Sequence, residues 1–394
     1  MNFLLRKVRL FNKETSVLVL LWFGLAFIAA FVEVLRHTVN DYLIFKGVFW
    51  HLWEQTNLYA EYPSEYGDSN HYGPVFALII APFALLPTGI GGILWTLANA
   101  WILLYAIRKL DVSERNRWII VAICLVEMMT TAHNLEFNSA TAAWLILAFV
   151  LVEKKQDFWA TFFIALGFMV KLYGIGGLLF FVFSQQKLRF ALSFVFWLIV
   201  LFCLPMLLSS PRFVVQSYVD WYDSLVVKDA KNANVIVSGG MQDISVMGMI
   251  RRIFSVAVEN LYVLVPAALM ILLPLLRFSQ YASKKFRQSF LAIVLISVVI
   301  FSTAAESSTY VIAMAGVGIW YVLQPSPKSL AVSIALVFAL IITSFSPTDL
   351  FPHYINVHYV RAYSLKALPC FVVWLWLITT VGTTDFRNSK MVEA

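Results

Sequence analysis

Charge is scarce in this chain: Asp, Glu, Lys and Arg make up 13% of its 394 residues, while 61% are hydrophobic. A soluble domain carries roughly twice that share of charge, so a water-soluble fold is excluded. Cysteine is scarcer still. Cys124, Cys203 and Cys370 each sit inside an apolar run, and an odd, dispersed set gives no disulfide framework. Metal-ligand spacing is missing. His353 and His358 share a loop without an HExxH helix or a cysteine partner, so no metal is expected. Neither a Walker loop nor GxGxxG occurs, which leaves ATP and dinucleotides without a cradle, and no cofactor is expected. Short alternating strands are absent too, which excludes an outer-membrane barrel.

What the chain has instead is long apolar runs, many near the ~20 residues a helix needs to cross a bilayer core. They predict an all-α polytopic membrane protein, a single domain over 1–394. About 12 spans are expected, at 16–36, 90–107, 118–133, 139–152, 158–170, 172–184, 188–209, 260–277, 290–305, 310–323, 330–345 and 365–381. The net charge of +7 comes from short basic clusters between runs, the positive-inside pattern rather than a nucleic-acid surface. Arg6, Lys7, Arg9 and Lys13 precede the first run, which is too long for a cleaved signal and reads as an anchor. Both termini are then cytoplasmic, and loops 37–72, 210–244 and 346–364 face the other side. Residues 73–86 carry Pro74 and Pro82 and are too short to span, so they read as interfacial or re-entrant. Residues 245–257 read as interfacial.

Polar groups at membrane depth are costly and point to function. Lys171 lies between two short apolar halves. It either snorkels to the interface or, facing the outer side, holds a phosphate. His133, Asn134, Glu136 and Asn138 make a polar knot between two spans, suited to a plain turn or to sugar hydroxyls. Glu306 follows another run and reads as a loop acid or a polar contact. In the first outer loop, Asp41 opens a helical stretch with Phe45, Val48, Phe49 and Leu52 on one face, a helix expected to lie on the membrane. Asn40 or Asp41 could cap it. Alternatively, Asp41 could take a proton from an acceptor hydroxyl.

The order of motifs resembles a known family. Tyr72-Gly73-Pro74-Val75-Phe76-Ala77, with Ala81-Pro82-Phe83-Ala84-Leu85-Leu86-Pro87, is similar to the Tyr-Pro-Pro signature of glycosyltransferase family 87, with Gly73 in place of the first proline. Trp95 follows as in that family. Asn138 matches the end of its Gly-Gln-x-Asn turn, and Val170-Lys171-Leu172-Tyr173 resembles its Lys-Leu-x-Pro motif. Met241-Gln242-Asp243-Ile244-Ser245, with Gly248 and Arg251, resembles an Asn-Gln-Ser motif with one residue inserted. A family histidine is missing from Glu306-Ser307-Ser308-Thr309-Tyr310.

The resemblance implies a GT-C fold and a transferase working at the outer face of the inner membrane. Its donor would be a polyprenyl-phosphate sugar, with a mannose-like hexose favoured, and its acceptor a lipid or glycan. Asp41 would be the general base. Lys171 with Arg251 or Arg252 would hold the donor phosphate, and Tyr72, Asn138, Gln242, Glu306 and Tyr310 would contact the sugar or acceptor. A glycan ligase or polymerase is the near alternative. A lipid-linked glycan flippase would show repeated halves with paired broken helices, and these halves are unlike.

Overall fold

The computed structural model describes residues 5–10, 13–233 and 242–387. Its contacts group into two compact units, Met1–Ala230 and Lys231–Ala394.

The first unit opens with a hairpin, β1 (Lys7–Leu10) and β2 (Lys13–Ser16), antiparallel with Lys7 opposite Ser16. Ser16 then caps α1 (Val17–Arg36) by accepting from the Val19 amide at 3.3 Å. α1 packs on α4 (Thr88–Lys109) and α5 (Glu114–His133), and the Trp22 indole donates to Ala100 O of α4 at 2.9 Å. At the far end of α1, Glu33 meets His133 of α5 at 3.0 Å. α6 (Asn138–Glu153) is apolar nearly all round and buried nearly all round, as a helix without a polar face must be. It lies against α4 and α7 (Asp157–Lys171). α7 ends at Leu172 in the left-handed region, and a 3-10 helix (Tyr173–Phe183) turns back on α6 and α7. α8 (Lys187–Cys203) and α9 (Pro211–Ala233) follow.

Two expectations about residues 37–86 are resolved here. α3 (Phe76–Ala84) has nine residues, so it rises only ~14 Å, less than half of a ~30 Å hydrocarbon core. As a straight helix it cannot cross. α2 (Asn40–Glu54) buries the expected face of Phe45, Val48, Phe49 and Leu52, but the face covers α3 rather than a membrane. Phe45 meets Tyr72, Phe76 and Trp95 edge-on, with ring centroids 4.9–6.0 Å apart. Aromatic edge-to-face pairs of this kind are worth about 0.5–1.5 kcal/mol each beyond area burial, enough to seat a short helix on protein.

In the second unit, α10 (Val246–Phe254) and α11 (Leu261–Leu272) precede the pair α12 (Lys284–Ile300) and α13 (Tyr310–Leu323), which is buried almost throughout. α14 (Leu330–Phe338) widens into a π-helix (Ala339–Phe345), where Thr343 donates to Lys366 O at 2.9 Å. α15 (Ala367–Thr383) packs on α12, and its Trp374 indole reaches Ser297 at 2.8 Å.

Among the described residues, three helices are long and apolar enough to cross a membrane: Val17–Arg36, Thr88–Lys109 and the continuous stretch Lys187–Leu207. The other apolar helices, such as Asn138–Glu153 and Ala367–Thr383, are shorter. Length and composition therefore support a helical membrane protein without fixing twelve crossings.

Candidate functional site

In the first unit, three chain segments bring four polar side chains together. The first is the turn before α3. Gly73 donates its amide to Val170 O at 3.0 Å, which ties the turn to the end of α7. The approach is so close that a Cβ on Gly73 would stand 1.9 Å from Met169 O. The second segment is the bend between α5 and α6, where Leu135 takes a positive φ of 51° and its carbonyl accepts from the Trp95 indole at 2.9 Å. The third is the end of α7, which presents Lys171.

The Lys171 ammonium donates to Asn138 Oδ1 at 3.0 Å and to Tyr72 Oη at 3.2 Å. It stands 3.7 Å from Glu136 Oε2, with the lysine and glutamate side chains only 20% and 10% exposed. The same Glu136 oxygen accepts from Tyr72 Oη at 3.1 Å and from the Phe137 amide at 3.2 Å. Tyr72, Phe76, Trp95 and Phe137 form an aromatic floor beneath, with Trp95 and Phe137 stacked at 5.4 Å. Burial first, and the Glu136 carboxylate second, push the Tyr72 phenol well above its ordinary range; Lys171 pulls it back. The phenol therefore stays a donor. The Asp41 carboxylate adds a smaller push, which places its charge within electrostatic reach of this group.

Asp41 is not a cap. The helix is capped at Val39 with no side-chain bond, and Asp41 lies in its first turn, where the helix dipole favours a carboxylate. Asn40 instead accepts from the Gly67 amide at 2.7 Å. Other acids of the loop are engaged in holding it. Glu65 pairs with His51 at 3.1 Å, and Asp68 lies 3.6 Å from Lys228 of α9.

The second unit carries its own polar cluster. Gln242 donates to Glu306 Oε1 at 2.9 Å. Glu306 starts the 3-10 turn Ser307–Thr309 in a capping box with Thr309. Tyr310 donates to Ile244 O at 2.7 Å, pinning this turn to the Gln242 segment. Buried Lys366 donates to Ser307 O and Oγ at 2.9 and 2.8 Å and lies over the Tyr310 ring. Arg251 is fully enclosed. It pairs with Asp243 at 2.7 Å and donates to Val258 O and Asn260. Its donors thus serve to tie α10 to the loops before and after it. Arg252 donates to Gln242 O at 2.8 Å, to Arg361 O at 3.1 Å and to the Ser364 hydroxyl at 2.5 Å, all neutral acceptors.

Tyr72, Asn138 and Lys171 thus come together in one unit, and Gln242, Glu306 and Tyr310 in the other. Sequence reasoning passed over two members. Glu136 was visible in the polar knot but not singled out, and Lys366 stood inside the run 365–381, a cation where a span was expected. Met241, first residue of the third motif, lies outside the described residues. Among the described residues no group of His, Cys, Asp and Glu could hold a metal.

Compared with known families, the chain matches glycosyltransferase family 87 over residues 70–303, more than half of its length. Tyr72, Glu136, Asn138, Lys171, Gln242, Arg251 and Arg252 fall inside that match; Asp41, Glu306 and Tyr310 fall outside it. No curated protein matches the chain.

Proposed function

Because the chain belongs to glycosyltransferase family 87, a family of membrane enzymes, we propose that it moves a hexose, mannose-like, from a polyprenyl-phosphate donor to a lipid or glycan acceptor. The reaction would take place at the outer face of the inner membrane, within a GT-C fold of about 12 spans. The observation that carries this reading is the Lys171 cluster. A lysine ammonium is held at the end of a short helix by a carboxylate, an amide and a phenol, against an aromatic floor.

The chemistry follows from the charges. Asp41 takes the proton of the acceptor hydroxyl as that oxygen attacks the anomeric carbon. The anomeric carbon–oxygen bond to phosphate breaks, and polyprenyl phosphate leaves with the electron pair. Negative charge grows on that phosphate in the transition state, where a preplaced cation lowers the barrier most. Lys171 supplies one such charge. Arg252, whose bonds to Gln242 O, Arg361 O and the Ser364 hydroxyl are all to neutral groups, is the better arginine candidate than the enclosed Arg251, which is paired with Asp243. Tyr72, Asn138, Gln242, Glu306 and Tyr310 hold sugar or acceptor hydroxyls.

The test is transfer by the purified protein from a polyprenyl-phosphate hexose to a lipid acceptor. Turnover should be lost in Lys171→Ala. Transfer from nucleotide sugars alone, with none from the lipid donor, would overturn the reading.

A further inference from the structure

A two-toned cavity lies in the first unit, lined by none of the Lys171 cluster's residues. It measures about 940 Å³ and is formed by the hairpin, the start of α1, the end of α4 and the start of α5. One part of its wall is charged, with Lys7, Glu14, Arg108, Glu114 and Arg115; another is apolar, with Phe23, Trp101 and Trp118.

The charges do not cancel. Lys7 is paired with Glu14 at 2.9 Å and also feels Glu114. Three cations line the wall against two acids, which leaves one positive charge over. Arg108 lies over the Trp118 ring at 5.8 Å, and among the described residues neither Arg108 nor Arg115 makes an ion pair with a carboxylate. The one surplus positive charge lies with this arginine pair, the right magnitude for a singly charged anion. A guanidinium is suited to a phosphate diester because its planar donors match two oxygens at once.

The surroundings name the solvent. α1 and α4 are two of the helices fit to cross a membrane, and both reach the cavity at one end. Trp101 is 56% exposed and stacks on Tyr105, over which Lys109 is placed at 5.0 Å. Trp, Tyr and basic side chains at one end of a span mark headgroup level. A ligand entering here meets cations at headgroup level and an exposed tryptophan face beside them. A free anion would use only the first.

We propose that this cavity binds one anionic glycerophospholipid, its phosphodiester on Arg108 and Arg115 and an acyl chain along Phe23 and Trp101. The site is separate from donor and acceptor binding, and a lipid here would fasten the hairpin to α4 and α5.

The experiment measures binding of phosphatidylglycerol and phosphatidylcholine to the full-length protein in detergent, with inorganic phosphate as competitor. One phosphatidylglycerol should bind in preference to phosphatidylcholine and resist phosphate. Arg108→Gln/Arg115→Gln should weaken it roughly tenfold or more, given the attraction of each cation for an anionic lipid surface. Lys154→Gln/Lys155→Gln, at another basic turn, should leave it unchanged. Should the arginine variant fail to fold, Trp101→Ala, at an exposed position, should still weaken binding. Equal affinity for both lipids, displacement by phosphate alone, or full binding by the arginine or tryptophan variant would each overturn the proposal.

Discussion

Gly73 and Val170 are joined by a backbone hydrogen bond of 3.0 Å, and that bond sets the turn carrying Tyr72 beside the lysine that follows Val170. It also gives a physical reason for the departure from the family's proline at this position, since proline has no amide to donate. Gly73→Pro should therefore destabilise the protein, and Gly73→Ala should do so too, because its Cβ would meet Met169 O at 1.9 Å. Overpacking of this kind costs about 1–3 kcal/mol. Thermal unfolding in detergent checks it, and an unchanged midpoint in Gly73→Pro would mean that the turn is not docked this way.

Lys171 and Glu136 separate structure from chemistry. Removing the lysine alone leaves a mostly buried carboxylate without its cation, a loss of about 3–5 kcal/mol for a buried pair. The value should fall toward the low end, because Glu136 keeps Tyr72 and the Phe137 amide as donors. Lys171→Met should thus lower both stability and transfer. Lys171→Met/Glu136→Gln should regain stability but not transfer. Recovery of activity in the double variant would show that the lysine only balances charge.

The legible part of this molecule was local. The turn from Tyr72 to Pro87, the polar knot and Lys171 stood out because polar groups and prolines interrupt apolar runs. The non-spanning length of 73–86 followed from counting residues. What lay out of reach was pairing across the chain. Lys171 meets Tyr72 across a separation of 99 residues and Asn138 across 33, and no spacing rule reports such partners. The face of α2 was read correctly by period, but periodicity does not say whether protein or lipid covers it. The capping idea for Asp41 had the right residue types one or two positions late, since the chain becomes helical after Val39.

Alkaline pH should weaken the segment from α2 to α3. Burial pushes the Tyr42 phenol up to about 12 and raises those of Tyr66 and Tyr72 as well. A phenol raised in the folded state contributes stability that is full below its unfolded pKa, near 10, and is lost as pH rises through the folded value. The unfolding midpoint should hold up to about pH 9.5 and decline above it. Tyr42→Phe/Tyr72→Phe should start from a lower midpoint, having lost two phenol hydrogen bonds, but decline less steeply. Parallel declines for the two proteins would remove these phenols as the cause.

Asp41 offers the sharpest test of mechanism. It sits in the first turn of α2, where its charge on the helix dipole is worth about 0.3–1 kcal/mol, and the isosteric Asp41→Asn keeps the side chain's shape and its acceptor oxygen, so the fold should lose about that much. A general base contributes about 100- to 10,000-fold in rate, and an amide cannot take the proton. The variant should nearly keep its unfolding midpoint and lose turnover by that order, with donor affinity nearly unchanged. Glu65 and Asp68 pair with His51 and Lys228, so Glu65→Gln and Asp68→Asn should instead loosen the loop and cost stability first. The measurement is single-turnover transfer from a polyprenyl-phosphate hexose alongside thermal unfolding. Near-normal turnover by a folded Asp41→Asn protein would move the base to exposed Glu61 or to a group outside this loop.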